Sequence, residues 1–285
     1  MTNNNKITIV FSSIAFCLTW TIGFSIYWLS EKSTINTIQL NSLHSFAAIG
    51  PTVAALVTTY LFYGKQGIKK MLDKLKFQVY DGQTVLFIIS PLLFFVVGIL
   101  FYPIIKSTFF DFDNFATINW SSANSFIIWF SPSITYAVFE EIGWRGFLLP
   151  HMQEKYSAWK STIILTFIWA VWHIPFFFYR FDFSIGVAIG FFFGLFVGSI
   201  ILTSIYNSSR GSILTVVTFH LLNNLCSQFD KEIIVAVLST GFIFIAIYIF
   251  KKYGQINLSK YERQINYFKI EEKRPHNRVD SSAPD

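Results

Sequence analysis

The sequence predicts an all-α polytopic membrane protein, a bundle of about eight transmembrane helices, and three observations carry that prediction. Hydrophobic residues fill 53% of the 285 positions and aromatic residues 19%. Only 13% are charged, against about 25% in a soluble domain, and mean hydropathy is +0.49. Several apolar runs reach about 20 residues, the length of helix that crosses a bilayer. A soluble fold would have to bury all of them together.

Apolar runs bounded by polar loops place spans near 7–29, 46–63, 84–105, 124–149, 160–179, 184–206, 211–229 and 232–250. The first follows only Lys6, is too long for a signal-peptide core and shows no small-x-small site before "SEKST", so it reads as a spanning helix. The fifth holds Pro175, which removes a backbone bond to the Val171 carbonyl and should bend it. The sixth carries Gly186, Gly190, Gly194 and Gly198 on one face, where glycine lets a neighbouring helix approach closely. No long linker divides the spans, so residues 1–250 form one domain, with its polar motifs between about 124 and 230.

Residues 251–285 form a basic tail. Its "KYERQINYFKI" puts Tyr261, Ile265 and Phe268 at helical spacing, as suits a short helix on the inner membrane surface. A mostly disordered tail is the alternative, above all after Pro275.

Basic residues set the orientation. With the N-terminus inside, seventeen Lys and Arg fall on the inner side and four outside, namely Lys32, Lys106, Arg180 and Lys231. That asymmetry predicts an even number of spans with both termini cytoplasmic. The net charge of +6 is thereby explained without nucleic acid. Loops rich in Ser, Asn and Lys suggest a bacterial plasma membrane. Cys17 and Cys226 lie in apolar segments and form neither a disulfide framework nor a metal-type spacing.

Charges interrupt the fourth span, where "YAVFEEIGWRGF" sets Glu140, Glu141 and Arg145 among apolar residues. Each charge at a span's centre costs roughly 2.5–3.5 kcal/mol on insertion scales. His173 lies in "FIWAVWHIPFFF", and His220 and Asn224 in "TVVTFHLLNNL". Counting from the inner ends at Pro150, Lys160 and Arg210, Glu140 and His220 sit roughly 15 Å deep, His173 roughly 20 Å, and Asn224 roughly 6 Å beyond His220. Groups from three helices thus share one slab of the membrane, and such groups mark a functional site.

Spacing separates the two carboxylates. Glu141 and Arg145 stand at i, i+4, which favours an ion pair. Glu140 points about 100° away and has no partner on its own helix. Arg145 is expected to neutralise Glu141 and brace the helix, leaving Glu140 for chemistry. His220 and Asn224, also at i, i+4, can present an imidazole and an amide to one point.

Glu140-Glu141-x-x-x-Arg145, then His173, then His220-x-x-x-Asn224, resemble the signature of the CPBP family of intramembrane proteases, also called Abi or type II CAAX prenyl endopeptidases. "IGPTVAAL", Ile49–Leu56, is a weaker further likeness, and the resemblance spans about residues 40–230. It implies about eight transmembrane helices around a conical catalytic cavity, and an endopeptidase acting on a peptide or membrane-anchored protein at the lipid bilayer. It also implies that Glu140 activates water with help from His173, that His220 and Asn224 stabilise the oxyanion, and that Glu141 and Arg145 complete the first motif. Two histidines and a glutamate match the ligands of catalytic zinc, so a divalent metal and a metal-free site both stay open. The chain has no H-E-x-x-H run, and a metal-bound Glu140 leaves the base undefined.

Two other classes compete. A non-enzymatic immunity or scaffold protein would bind a peptide in the same cavity and keep its activity in Glu140→Gln. A transporter or proton relay would spread polar groups over the whole membrane depth and commonly show an inverted repeat, and neither is visible here.

Overall fold

The computed structural model describes residues 3–111, 122–181, 184–230 and 232–268, and these form helices and no strand. The N-terminal half holds α1 (Asn3–Glu31), α2 (Thr37–Ala47), α3 (Ile49–Leu72) and α4 (Gly82–Lys106). Next come α5 (Ala123–Gly143), a π-helical segment (Trp144–Leu148) and α6 (Leu149–Lys155). After these follow α7 (Ala158–Trp172), a 3₁₀ turn (Ile174–Phe178), α8 (Ile185–Ser208), α9 (Ile213–Cys226) and α10 (Ile233–Asn257). Short polar side chains start many of them. Asp81, Ser122, Ser157, Ser184 and Ser212 each accept a hydrogen bond from the backbone N–H three residues on, satisfying a donor the helix leaves orphaned.

Among the described residues five helical stretches are long and apolar enough to cross a membrane: α1, the α2–α3 pair, α4, α8 and α10. The chain is an integral multi-pass membrane protein. The three spans that fall short of that standard, α5, α7 and α9, are the ones that carry the polar motifs. With 15 and 14 residues, α7 and α9 extend only about 22 Å and 21 Å, against a hydrocarbon core of about 30 Å. Helices this short depend on packing against their neighbours to hold their place, and α7 and α9 each pack on α8.

The packing centres on α5, which touches α2, α3 and α9. The "IGPT" stretch at the start of α3 wedges behind it. Thr52 donates to the Phe139 carbonyl at 2.7 Å, and a methyl group added at Gly143 would stand 2.7 Å from the Pro51 carbonyl. A tight turn joins α8 to α9, with Arg210 and Gly211 at φ of 53° and 83°, the left-handed region that glycine enters without cost. The loop after α3 then pins the start of α9: the Ile213 N–H donates to the Lys74 carbonyl at 2.9 Å, and Thr215 Oγ1 donates to the Gln78 carbonyl at 2.9 Å.

Four expectations need correction. The fourth span does not end at Pro150 but continues through the π segment to Lys155. Pro175 does not bend the fifth span; the α-helix stops at Trp172, and a 3₁₀ turn follows in which the Phe176 N–H donates to the His173 carbonyl at 3.0 Å. The glycine face of α8 meets no neighbouring helix among the described residues: a methyl group at Gly190, Gly194 or Gly198 would find none of their atoms within 4 Å. The tail forms no separate surface helix over 258–268. α10 breaks at Gly254 (φ 67°) and ends at Asn257, after which the chain folds back with Phe268 buried and Ile265 exposed. Lys231 and residues 269–285, including the stretch expected to be disordered, lie outside the described residues.

The two kinds of glycine should behave oppositely. Gly143→Ala forces a methyl group against Pro51, and overpacking of this sort costs roughly 1–3 kcal/mol. Gly194→Ala meets open space and gains up to about 1 kcal/mol of helix propensity. Thermal melts in detergent should therefore fall for Gly143→Ala and hold or rise for Gly194→Ala.

Candidate functional site

α5, α7 and α9 bring the six singled-out residues to one region, organised around two carboxylates with different partners. Glu141 is fully buried, and its Oε1 accepts from Arg145 Nη1 at 2.9 Å. The same oxygen lies 2.7 Å from Nδ1 of His220 on α9. Arg145 is also fully buried. Its Nη2 donates to Ser199 Oγ on α8 at 3.1 Å, and its guanidinium stacks 4.4 Å from the centre of the Trp169 ring on α7. One ion pair thus ties four helices together.

Glu140 takes no part in that pair. Its carboxylate accepts from Trp169 Nε1, so the partner missing from its own helix comes from α7. Trp169 and Ser199 are site residues that the sequence did not single out. The Trp169 indole touches Glu140 and Arg145, and its ring lies 5.7 Å from that of His173 and 6.0 Å from that of His220. One signal was available: Trp169 stands four residues before His173 and so shares its helix face. Ser199 carried no such signal, since a serine in an apolar run is ordinary.

His173 closes the last turn of α7. Its Nδ1 lies 2.8 Å from the Trp169 carbonyl oxygen. A carbonyl can only accept, so Nδ1 carries the proton and Nε2 keeps a lone pair. The rings of Trp172, Phe176 and Phe191 hold the imidazole edge to face at 4.7–5.6 Å. Asn224, half-buried one turn beyond His220, donates one amide hydrogen to the Ser133 carbonyl at 3.3 Å, leaving the second N–H and Oδ1.

Each residue therefore has a chemical capacity set by its neighbours. Glu141 is committed to two partners and holds geometry. Glu140 is a carboxylate with one donor and remaining lone pairs. His173 can accept a proton at Nε2 and Asn224 can donate, while His220, with Nδ1 facing Glu141, can donate from Nε2 only as the imidazolium. Among the described residues no three His, Cys, Asp or Glu side chains group so as to hold a metal ion.

Residues 122–226 match the family model described as type II CAAX prenyl endopeptidase Rce1-like, and that stretch contains all three motifs. A curated relative, CAAX prenyl protease 2 of Methanococcus maripaludis, is 33% identical over 121 residues, covering 38% of this chain and 43% of that protein. The match thus spans less than half the relative's length. Both matches make the motif-bearing part of the chain similar to CAAX prenyl endopeptidases.

Removing one member of a buried pair strands the other and costs roughly 3–5 kcal/mol. Arg145→Met should therefore lower the melting temperature by many degrees, whereas Lys106→Met, which breaks an exposed pair with Glu232, should shift it little. Equal shifts would show that Arg145 does not brace the bundle.

Proposed function

We propose that this chain is an intramembrane endopeptidase that hydrolyses a peptide bond in a membrane-associated protein or peptide, with water activated by Glu140. The observation that carries the reading is the division between the carboxylates. Glu141 is spent on Arg145 and His220, while Glu140, one residue away, is engaged by an indole N–H alone.

Glu140 takes a proton from water as its oxygen bonds to the scissile carbonyl carbon, and His173 Nε2 orients that water as a second acceptor. The carbonyl oxygen becomes the oxyanion of a tetrahedral intermediate. The free amide hydrogen of Asn224 and the outer N–H of a doubly protonated His220, held from behind by Glu141, donate to it. Donors fixed in place where charge develops can lower the barrier by about 3–4 kcal/mol each. Collapse breaks the C–N bond, and the proton held by Glu140 passes to the leaving amine. No step runs through a metal ion.

The substrate class follows from the surroundings. Polar groups at mid-depth, between helices too short to fill the bilayer, suit a chain segment entering from the inner aqueous phase while anchored in lipid. The relative's name, a CAAX prenyl protease, supports a substrate with a lipid-modified C-terminal region.

A mixed peptide library with prenylated and unmodified members, incubated with purified wild type and Glu140→Gln side by side, tests this by mass spectrometry. New products are expected from wild type alone, with turnover in the variant reduced by at least about 100-fold. Cleavage that persists in Glu140→Gln would exclude Glu140 as the base. A cellular phenotype that survives the same substitution would favour peptide binding without cutting.

A further inference from the structure

The chain after α10 folds back onto the part of α5–α6 that follows Arg145. Tyr267 donates through its hydroxyl to the Gly146 carbonyl at 2.5 Å. That carbonyl has a specific need. Its ordinary helical donor would be the N–H of residue 150, which is Pro150 and has none. The helix widens around the defect into the π segment, where the Leu149 N–H reaches back to the Trp144 carbonyl. Gly146 itself packs so closely on α9 that a methyl group there would lie 2.7 Å from Ile213 Cδ1. The π segment therefore touches the helix that carries His220, and includes Arg145.

A dense polar network seats the returning chain. Gln153 and Asn207 exchange amide hydrogen bonds at 3.0 and 2.9 Å. Gln153 also donates to the Gln264 carbonyl at 2.7 Å, and Asn207 to the Asn257 carbonyl at 2.8 Å. The Gln264 N–H returns to Asn207 at 3.0 Å, and Arg263 Nε donates to the Gln153 carbonyl at 3.0 Å. Beside it, Phe268 stacks on Tyr63 and His151 with ring centres 5.1 and 5.3 Å apart.

We infer that Leu258–Phe268 is a strap that sets the register of the site-bearing helix, with Tyr267 as the positioning residue that fixes the π segment and through it Arg145 and Glu141. Burial, and after it the nearby Tyr206, raises the Tyr267 phenol well above its ordinary value, so the hydroxyl stays a donor at any working pH. The effect on turnover rests on the endopeptidase reading above; the effect on the helix does not.

The test uses the full chain in detergent, as wild type and Tyr267→Phe, which keeps the ring and loses only the hydroxyl. Amide hydrogen exchange over 144–155 is expected to quicken about fivefold in the variant, as suits one lost hydrogen bond, with α4 and α10 unchanged. Against any peptide that wild type cleaves, kcat should fall at least about tenfold at constant KM, because small misplacements of a reacting group are costly. Unchanged exchange would overturn the strap. Faster exchange with unchanged kcat would overturn the positioning role. If wild type cleaves nothing in the library, the endopeptidase reading fails, and exchange alone still decides whether the strap holds the helix.

Discussion

The Glu141 carboxylate, buried and shared between Arg145 and His220, is the constraint on which the rest of the structure depends. A charge inside a bilayer is tolerable only with partners, and these come from its own helix and from α9. Arg145 in turn needs Ser199 of α8 and the face of Trp169 on α7. Pairing one oxygen of one carboxylate thus draws four helices to a single point. The residues that meet there come from α5, the π segment, α7, α8 and α9, of which α7 and α9 are shorter than the five long apolar stretches.

Much of this was legible from spacing alone, and what was not is instructive. The i, i+4 interval between Glu141 and Arg145 is local geometry, so a pair there could be read directly. The shared depth of Glu140, His173 and His220 was an expectation from the rise per residue, and the inner end it was counted from, Pro150, lies inside a helix that runs on to Lys155. The bond from Trp169 to Glu140 was not legible, since it joins two helices through a long side chain whose rotamer depends on packing. The proline in "HIP" signals a break, yet local rules do not say whether a helix will kink there or stop.

The glycines of α8 and the tail show the same limit from the other side. A four-residue glycine interval is compatible with a packed face or an open one, and only the position of the neighbours decides. The periodicity of Tyr261, Ile265 and Phe268 suits a helix, but Asn207, Gln153 and the Gly146 carbonyl offer the backbone and Tyr267 better partners. Tertiary hydrogen bonds outweigh weak local propensity in a segment this short.

The central claim is that the adjacent carboxylates divide structure from chemistry. Its most direct test compares the thermal stability of Glu140→Gln and Glu141→Gln in the same detergent. The account predicts that Glu141→Gln, which leaves Arg145 without its counter-charge, melts many degrees below wild type, while Glu140→Gln melts at or above it. Equal losses in the two variants, or a loss confined to Glu140→Gln, would contradict it.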